Sequence, residues 1–393
     1  MIIIFDLLSA QPQGPYKFHG GGEYIKTVFW FFLMQKKDNL EIHTCYNKEN
    51  FIDEWIQDAC DKGITKHINV CTHKEIIDYL SSLNDAEEIR FFAGLIYAYR
   101  SLNIPSNVYA IGTCHGLRAI ELPTDKYQLK YCNIGKDGIK KFGSELLQKM
   151  AKKAIRRRHD YTYSSSISKF DEIITDSDHS LYSIRLNYPE EIKNKRPRVL
   201  YPLTEIPIEK NDKEIIKDDK FIMIISANRW TKNSYRATTA IDGLYSAGLI
   251  PELKTRVYGN LPLKIRKGLK NQDRFEFYEY VSSEELQRAY ATCSFFLYPT
   301  LNEGFGNVPM EAMKYGKTCV ISAVCSLPEV YQNSVYYFNP YDIMEIQNRI
   351  LQADENKIDQ MKIKNRVEEL QNRAIHDMKY LCSIIAGRES EEL

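Results

Sequence analysis

FIMIISANRWTKNSYRATTAIDGLYSAGLIPELKTRVYGN, residues 221–260, decides how the chain is read. FIMII is a short continuous apolar run of the kind a parallel strand needs when both its faces are covered. SYRATTAIDGLYSAG is helical in length and pattern, and LKTRVYGN is a second strand. A strand, a helix and a strand in that order make a right-handed crossover unit, and so a parallel sheet. The rhythm continues through SSEELQRAYATC (helix), SFFLYPT (strand), VPMEAMKYG (helix), TCVIS (strand), DIMEIQNRILQ (helix) and a long charged helical tail.

The N-terminal half has the same rhythm. MIIIFDLLS at 1–9 reads as a buried strand, and GPYKFHGGGEYIKTVFWFFLMQ at 14–35 as a glycine-rich loop running into a helix. LEIHTCY, VYAIGTCH and EIITDS read as further strands, whereas EEIRFFAGLIYAYRSL and KFGSELLQKMAKKAIRRR read as helices. Between about 186 and 220 proline and charge dominate, as expected of a crossover between domains. With 393 residues, 44% hydrophobic and 27% charged, the expectation is an α/β protein of two doubly wound domains. The expected boundaries are 1–200 and 205–376.

Composition excludes several classes. The net charge of +1 gives no global field for nucleic acid. TVFWFFLM at 27–34 is eight residues, where a membrane-spanning helix needs about 20. Nine scattered cysteines without a C-x-x-C pair, and no signal-peptide pattern at the start, predict a reducing, cytoplasmic setting. Neither CTH at 71–73 nor HTC at 43–45 has zinc-site spacing, so no metal ligands and no cofactor are predicted.

Ligands of an open parallel sheet lie beyond the carboxyl ends of its strands, which directs attention to LNEGFGNVPMEAMKYGKTCVISAVCSLPEV at 301–330. Glu303 follows a strand. Gly304, Phe305 and Gly306 form a tight turn, and Pro309 suits the first turn of a helix because its missing N–H would have no partner there. The amides of Gly306, Asn307 and Val308 then point toward an anion such as phosphate. Glu311, in the first helical turn, offers two acceptor oxygens to a vicinal diol. Arg229 and Lys232 in SANRWTKN end another strand, where two cations can neutralise a diphosphate.

EGFGNVPMEAMKYGKTCVISAVCSLPEV resembles the E-x7-E signature of the family 4 retaining glycosyltransferases, as do VSSEELQRAYATCSFFLYPT and FIMIISANRWTKN around it. The resemblance covers the C-terminal half and only loosely the N-terminal half. It implies the GT-B fold, two facing Rossmann-like domains with a cleft between them, in which the last helix, here 377–393, crosses back to the first domain. It further implies that Glu311 binds ribose hydroxyls, that Glu303 contacts the donor sugar, and that Arg229 and Lys232 hold the departing diphosphate, although their spacing of three is shorter than the family's. The family's glycine loop and strand-end histidine correspond to Gly21, Gly22 and His115. Tyr280 and Val281 fall in the stretch that borders the nucleotide base.

The activity this implies is sugar transfer, with retention and without a metal, from a nucleotide sugar to a glycan or lipid-linked glycan in polysaccharide synthesis. The absence of an obvious D-x-D pair in a strand-end loop fits that expectation. A nucleotide-sugar epimerase of the same fold and a non-catalytic sugar-nucleotide binding subunit remain as alternatives. An NAD-dependent dehydrogenase is disfavoured because GGGEY lacks the G-x-G-x-x-G spacing. Lys152, Lys153, Arg156, Arg157 and Arg158 form a basic cluster, either a solvated helix face or a contact for anionic lipid at the inner face of a membrane.

Overall fold

The computed structural model describes residues 1–12, 19–35, 40–83, 88–132, 143, 146–147, 150–203 and 220–388. The chain forms two compact units. The first comprises Met1–Leu117, Arg158–Glu209 and Gln371–Leu393, and the second Arg118–Arg157 and Lys210–Leu370.

The first unit is built on the strands β1 (Ile2–Asp6), β2 (Glu41–Tyr46), β3 (Lys66–Asn69), β4 (Ile89–Ala93), β5 (Val108–Cys114), β6 (Glu172–Thr175) and β7 (Arg198–Val199). They pair in parallel in the order β3-β2-β1-β4-β5-β6-β7. All five β1 residues are buried because helices cover both faces of the strand. Phe5 packs edge-on to Phe29 of the helix Gly20–Met34, with ring centroids 5.1 Å apart. The C-terminal helix, Gln360–Ile385, ends in this core through Met378, Leu381, Cys382 and Ile385. Its Asp377 accepts the Tyr201 N–H at 2.9 Å.

The second unit contains β8 (Phe221–Ile224), β9 (Lys254–Tyr258), β10 (Phe275–Tyr278), β11 (Phe295–Tyr298), β12 (Cys319–Ser322) and β13 (Tyr336–Phe338). These are also all parallel, in the order β10-β9-β8-β11-β12-β13. Counted within the unit this is 3-2-1-4-5-6, the doubly wound dinucleotide-binding order, with its switch point between β8 and β11. The helices Ser234–Ser246 and Ile343–Glu355 pack against the sheet through Ala237, Ile241, Ile346 and Ile350.

Three sequence expectations need correction. EEIRFFAGLIYAYRSL does not form a helix, because Ile89–Ala93 is a central strand paired on both sides and only Ile96–Tyr99 makes a short 3-10 turn. Its apolar spacing fits either period, and pairing with β1 and β5 selects the strand. The glycines of GGGEY are not a loop but the first turn of the helix Gly20–Met34. Finally, Arg118–Arg157, within 1–200 by sequence, clusters with the second unit. Tyr131 lies in that unit's core and accepts the Tyr235 N–H at 2.7 Å. A bidentate pair joins buried Asp125 to buried Arg236, at 3.1 and 2.8 Å. Among the described residues no helix is long and apolar enough to cross a membrane.

Candidate functional site

The 3-2-1-4-5-6 order brings the loops after β8 and β11 side by side, and each carries predicted site residues. The backbones are tied directly, with the Leu301 N–H donating to Thr231 O at 2.8 Å. After β8 the chain passes Ser226 at φ +56° and Arg229, makes one 3-10 turn over Trp230–Lys232, and enters the helix Ser234–Ser246 through Asn233 at φ +56°. Asparagine tolerates this left-handed geometry better than most residues. Asn233 is also fixed by two side-chain bonds, donating to Pro340 O at 2.9 Å and accepting from Arg236 at 2.8 Å.

This turn delivers Lys232 to Glu303. The Lys232 ammonium donates to Glu303 Oε1 at 2.5 Å and to the Tyr298 hydroxyl at 2.7 Å. Tyr298 and Thr300 also donate to Oε1, at 2.8 and 2.7 Å. Three donors thus converge on one carboxylate oxygen, while Oε2 accepts no hydrogen bond among the described residues. Burial alone would raise the Glu303 carboxyl, but the Lys232 charge and the three hydrogen bonds hold it below the ordinary range. Burial lowers the Lys232 ammonium, and the charges of Arg229 and Arg118 add to that against the pull of Glu303. Burial likewise pushes the Tyr298 phenol well up, so it stays a proton donor.

Arg229 is exposed at the end of the β8 loop, and its charge reaches both Lys232 and Tyr298. Past Glu303 the chain turns at Gly306, φ +88°, where an added Cβ would stand 2.4 Å from Leu327 Cδ2. Ser326 donates to the carbonyls of Glu303 and Phe305 at 3.1 and 3.0 Å, and Tyr331 to that of Gly306 at 2.6 Å. The short helix Val308–Met313 follows, with Pro309 in its first turn. The Met310 N–H is taken up by Asn307 O at 3.0 Å and the Tyr331 hydroxyl at 3.1 Å. The amides of Gly306, Asn307 and Val308 make no hydrogen bond among the described residues. Buried Asn307 Oδ1 has no partner either, an open acceptor of a kind native structures rarely leave unexplained. Glu311 is partly buried, 3.5 Å from Lys314.

Other predicted residues sit differently. The Phe305 side chain is buried in the unit, so only its backbone could meet a ligand. Gly304 and Val281 are half-buried, and Tyr280 is 87% exposed beyond β10. In the first unit the Gly22 N–H is occupied, donating to His19 Nδ1 at 3.0 Å. Close packing explains both glycines. A Cβ on Gly21 would lie 2.8 Å from Leu95 Cδ2, and one on Gly22 2.9 Å from Ala10 O.

Both ring nitrogens of His115 are engaged, Nδ1 with Asp176 at 2.6 Å and Nε2 with the Gly94 carbonyl at 2.9 Å. A carboxylate and a carbonyl both accept, so the two contacts are complete only when the ring carries both protons. Burial lowers its pKa, yet the Asp176 charge and the two hydrogen bonds win and raise it above the ordinary value. The stability this contributes is complete below about pH 6.5 and is lost as pH rises through the folded-state value. Thermal unfolding followed from pH 6 upward is expected to show that loss, and His115→Gln to flatten it. An unchanged slope in the variant counts against the imidazolium.

The sequence expectation of no D-x-D pair also needs correction. Asp176-Ser177-Asp178 directly follows β6, with Asp176 committed to His115 and Asp178 opening the helix Asp178–Asn187. Sequence reasoning missed Tyr298, Thr300, Ser326 and Tyr331. Tyr298 and Thr300 stand in plain view in SFFLYPT, but an apolar strand end gives no hint of which hydroxyls turn inward.

Residues 205–370 match the family model Glycosyl transferases group 1. The match contains the Lys232–Glu303 pair and the Gly306 turn. Two relatives are the serotype-specific mannosyltransferase WbdA of Escherichia coli and the O-antigen chain mannosyltransferase B of the same organism. WbdA is 38% identical over 71 residues, which is 18% of this chain and 9% of that protein. Mannosyltransferase B is 42% identical over 74 residues, 19% of each. This chain therefore spans under a tenth of WbdA.

Among solved structures, sucrose-phosphate synthase from Thermosynechococcus elongatus aligns over 98% of this chain and 99% of its own, with TM-score 0.63 and 13% identity. Anabaena HepE in complex with UDP aligns over 98% and 99%, with TM-score 0.62 and 12% identity. WaaG, a glycosyltransferase involved in lipopolysaccharide biosynthesis, aligns over 98% and 100%, with TM-score 0.59 and 13% identity. At such identities the likeness establishes the fold, a GT-B fold of two Rossmann-like parallel-sheet units.

Proposed function

We propose that the protein is a retaining glycosyltransferase that moves a sugar from a nucleotide diphosphate sugar to a glycan or lipid-linked glycan in surface polysaccharide synthesis. The observation that carries this reading is the convergence at the β8–β11 switch point. Arg229 and Lys232 arrive from one strand end, Glu303 and the unbonded amides of Gly306, Asn307 and Val308 from the other, all within the glycosyl transferases group 1 match. The sequence relatives are mannosyltransferases, which makes a mannosyl group the leading choice of sugar. HepE was solved with UDP and with UDP-glucose, which supports a nucleotide sugar as the donor.

In this reading the pyrophosphate lies on the three amides, with Arg229 and Lys232 beside it. Charge grows on the leaving oxygen as the glycosidic bond stretches, so these groups bind the transition state more tightly than the ground state. Glu303 Oε2, left open by the clamp on Oε1, accepts a hydroxyl of the donor sugar. Glu311 takes the ribose diol, and Asn307 Oδ1 accepts from a further hydroxyl. The departing phosphate assists the incoming acceptor hydroxyl, giving retention, and no divalent metal takes part. Lys153, Arg156, Arg157 and Arg158, exposed on the helix Lys152–Ile167, are suited to anionic lipid beside a lipid-linked acceptor.

The test is a panel of nucleotide sugars that includes GDP-mannose and UDP-glucose, with and without EDTA. Thermal stabilisation and turnover would be followed, and the anomeric configuration of the product read by NMR. A donor at a hundred times its Kd is expected to add about 2.7 kcal/mol. If no member of the panel shifts the unfolding temperature at millimolar concentration, the reading fails.

A further inference from the structure

We propose that Arg118, which lies outside the family match at 205–370, is a third cation on the donor diphosphate, positioned by the segment that anchors it to the second unit. The proposal rests on the nucleotide-sugar reading above. Arg118 opens the one-turn helix Arg118–Glu121, and Glu121 lies three residues on, on the same face of the turn. Glu121 accepts a hydrogen bond from Asn302 Nδ2 at 2.6 Å, and Asn302 immediately precedes Glu303. The turn that carries Arg118 is therefore fastened beside the carboxylate loop.

Farther along the same segment, Asp125 grips Arg236, which also holds Asn233 at the end of the turn carrying Lys232. Residues 118–131 thus clamp both loops of the switch point, through Asn302 on one side and Arg236 on the other. Arg118 is close enough for its charge to oppose the Lys232 ammonium.

The charges do not balance within this cluster. Arg118, Arg229 and Lys232 supply three cations against the carboxylates of Glu303 and Glu121, and neither arginine makes an ion pair among the described residues. Both arginines are exposed. An arginine fork matches phosphate oxygens and keeps its charge at any working pH. The remaining positive charge, carried by two exposed arginines, suits the phosphates of a pyrophosphate.

The experiment is calorimetric titration of the full chain and of Arg118→Ala and Arg118→Lys with UDP, GDP and inorganic pyrophosphate, using uridine and guanosine as controls. Arg118→Ala is expected to bind the better nucleoside diphosphate, and pyrophosphate, about tenfold more weakly, with nucleoside affinity unchanged and partial recovery in Arg118→Lys. An exposed side chain leaves little risk to folding. Wild-type affinity for the diphosphate in Arg118→Ala overturns the proposal and leaves the nucleotide-sugar reading intact. Equal weakening of nucleoside and diphosphate also overturns it, by assigning Arg118 a purely structural part. If the wild-type chain binds no diphosphate, both readings fall together.

Discussion

Glu303→Gln is expected to lower turnover by about 10²–10³-fold while nucleoside diphosphate affinity changes little. In the proposed mechanism the carboxylate acts through the sugar, whereas cations and amides hold the diphosphate. The same change removes the counter-charge of Lys232, whose side chain is 10% exposed. A buried cation left alone costs about 3–5 kcal/mol, so activity must be separated from folding. The double variant Glu303→Gln with Lys232→Met removes both charges. It is expected to recover much of the stability but none of the turnover, because the donor sugar and the leaving phosphate each lose a partner. Recovery of turnover in the double variant would place the chemistry elsewhere.

Glu303 also gives a pH signature. Its carboxyl is held below the ordinary range, so the stability it contributes is present above about pH 4.5 and drains away as pH falls through the folded-state value. Lys232 has the opposite consequence. Its ammonium is lowered by burial, so it opposes folding at neutral pH, and that cost fades as pH rises toward the ordinary lysine value. The acid limb of an unfolding curve in Glu303→Gln should therefore be shallower than in the wild type.

Gly306→Ala is the second large effect expected. At φ +88° a side chain is strained whatever the space, and here the Cβ would meet Leu327 Cδ2 at 2.4 Å in a fully buried setting. Together these should cost about 2–4 kcal/mol and disturb the amides on either side, so donor binding falls along with the unfolding temperature. Adding Leu327→Ala relieves the collision but not the backbone strain, and only partial recovery is expected. Gly20→Ala is the control, since nothing lies within 4 Å of its added Cβ. Equal losses at Gly20 and Gly306 would mean that the turn geometry has no special part.

The C-terminal unit was largely legible in advance. FIMII, SFFLYPT and TCVIS read as strands because each is a short apolar run bounded by turn residues, and they became β8, β11 and β12. Glu303, Gly306 and Pro309 were legible because glycine and proline at fixed offsets restrict the backbone. Less legible were β4, β10 and β13, whose apolar residues are too few or too ambiguous in period to choose strand without a neighbour. The same holds for His115. A histidine at a strand end does not announce its ring partner, and Asp176 lies 61 positions away.

Local sequence determined which segments would become strands and helices, and which strand-end turns would need glycine, because backbone restriction and apolar periodicity are properties of neighbours along the chain. What only tertiary structure decided were the partners. That Lys232 spends its charge on Glu303, and that Tyr298 and Thr300 bind the same oxygen, follows from sheet order. That Arg118 and Asp125 belong with residues more than a hundred positions away follows from packing as well. A buried charge must find its counter-charge wherever the fold brings one near, and distance along the chain carries no information about that.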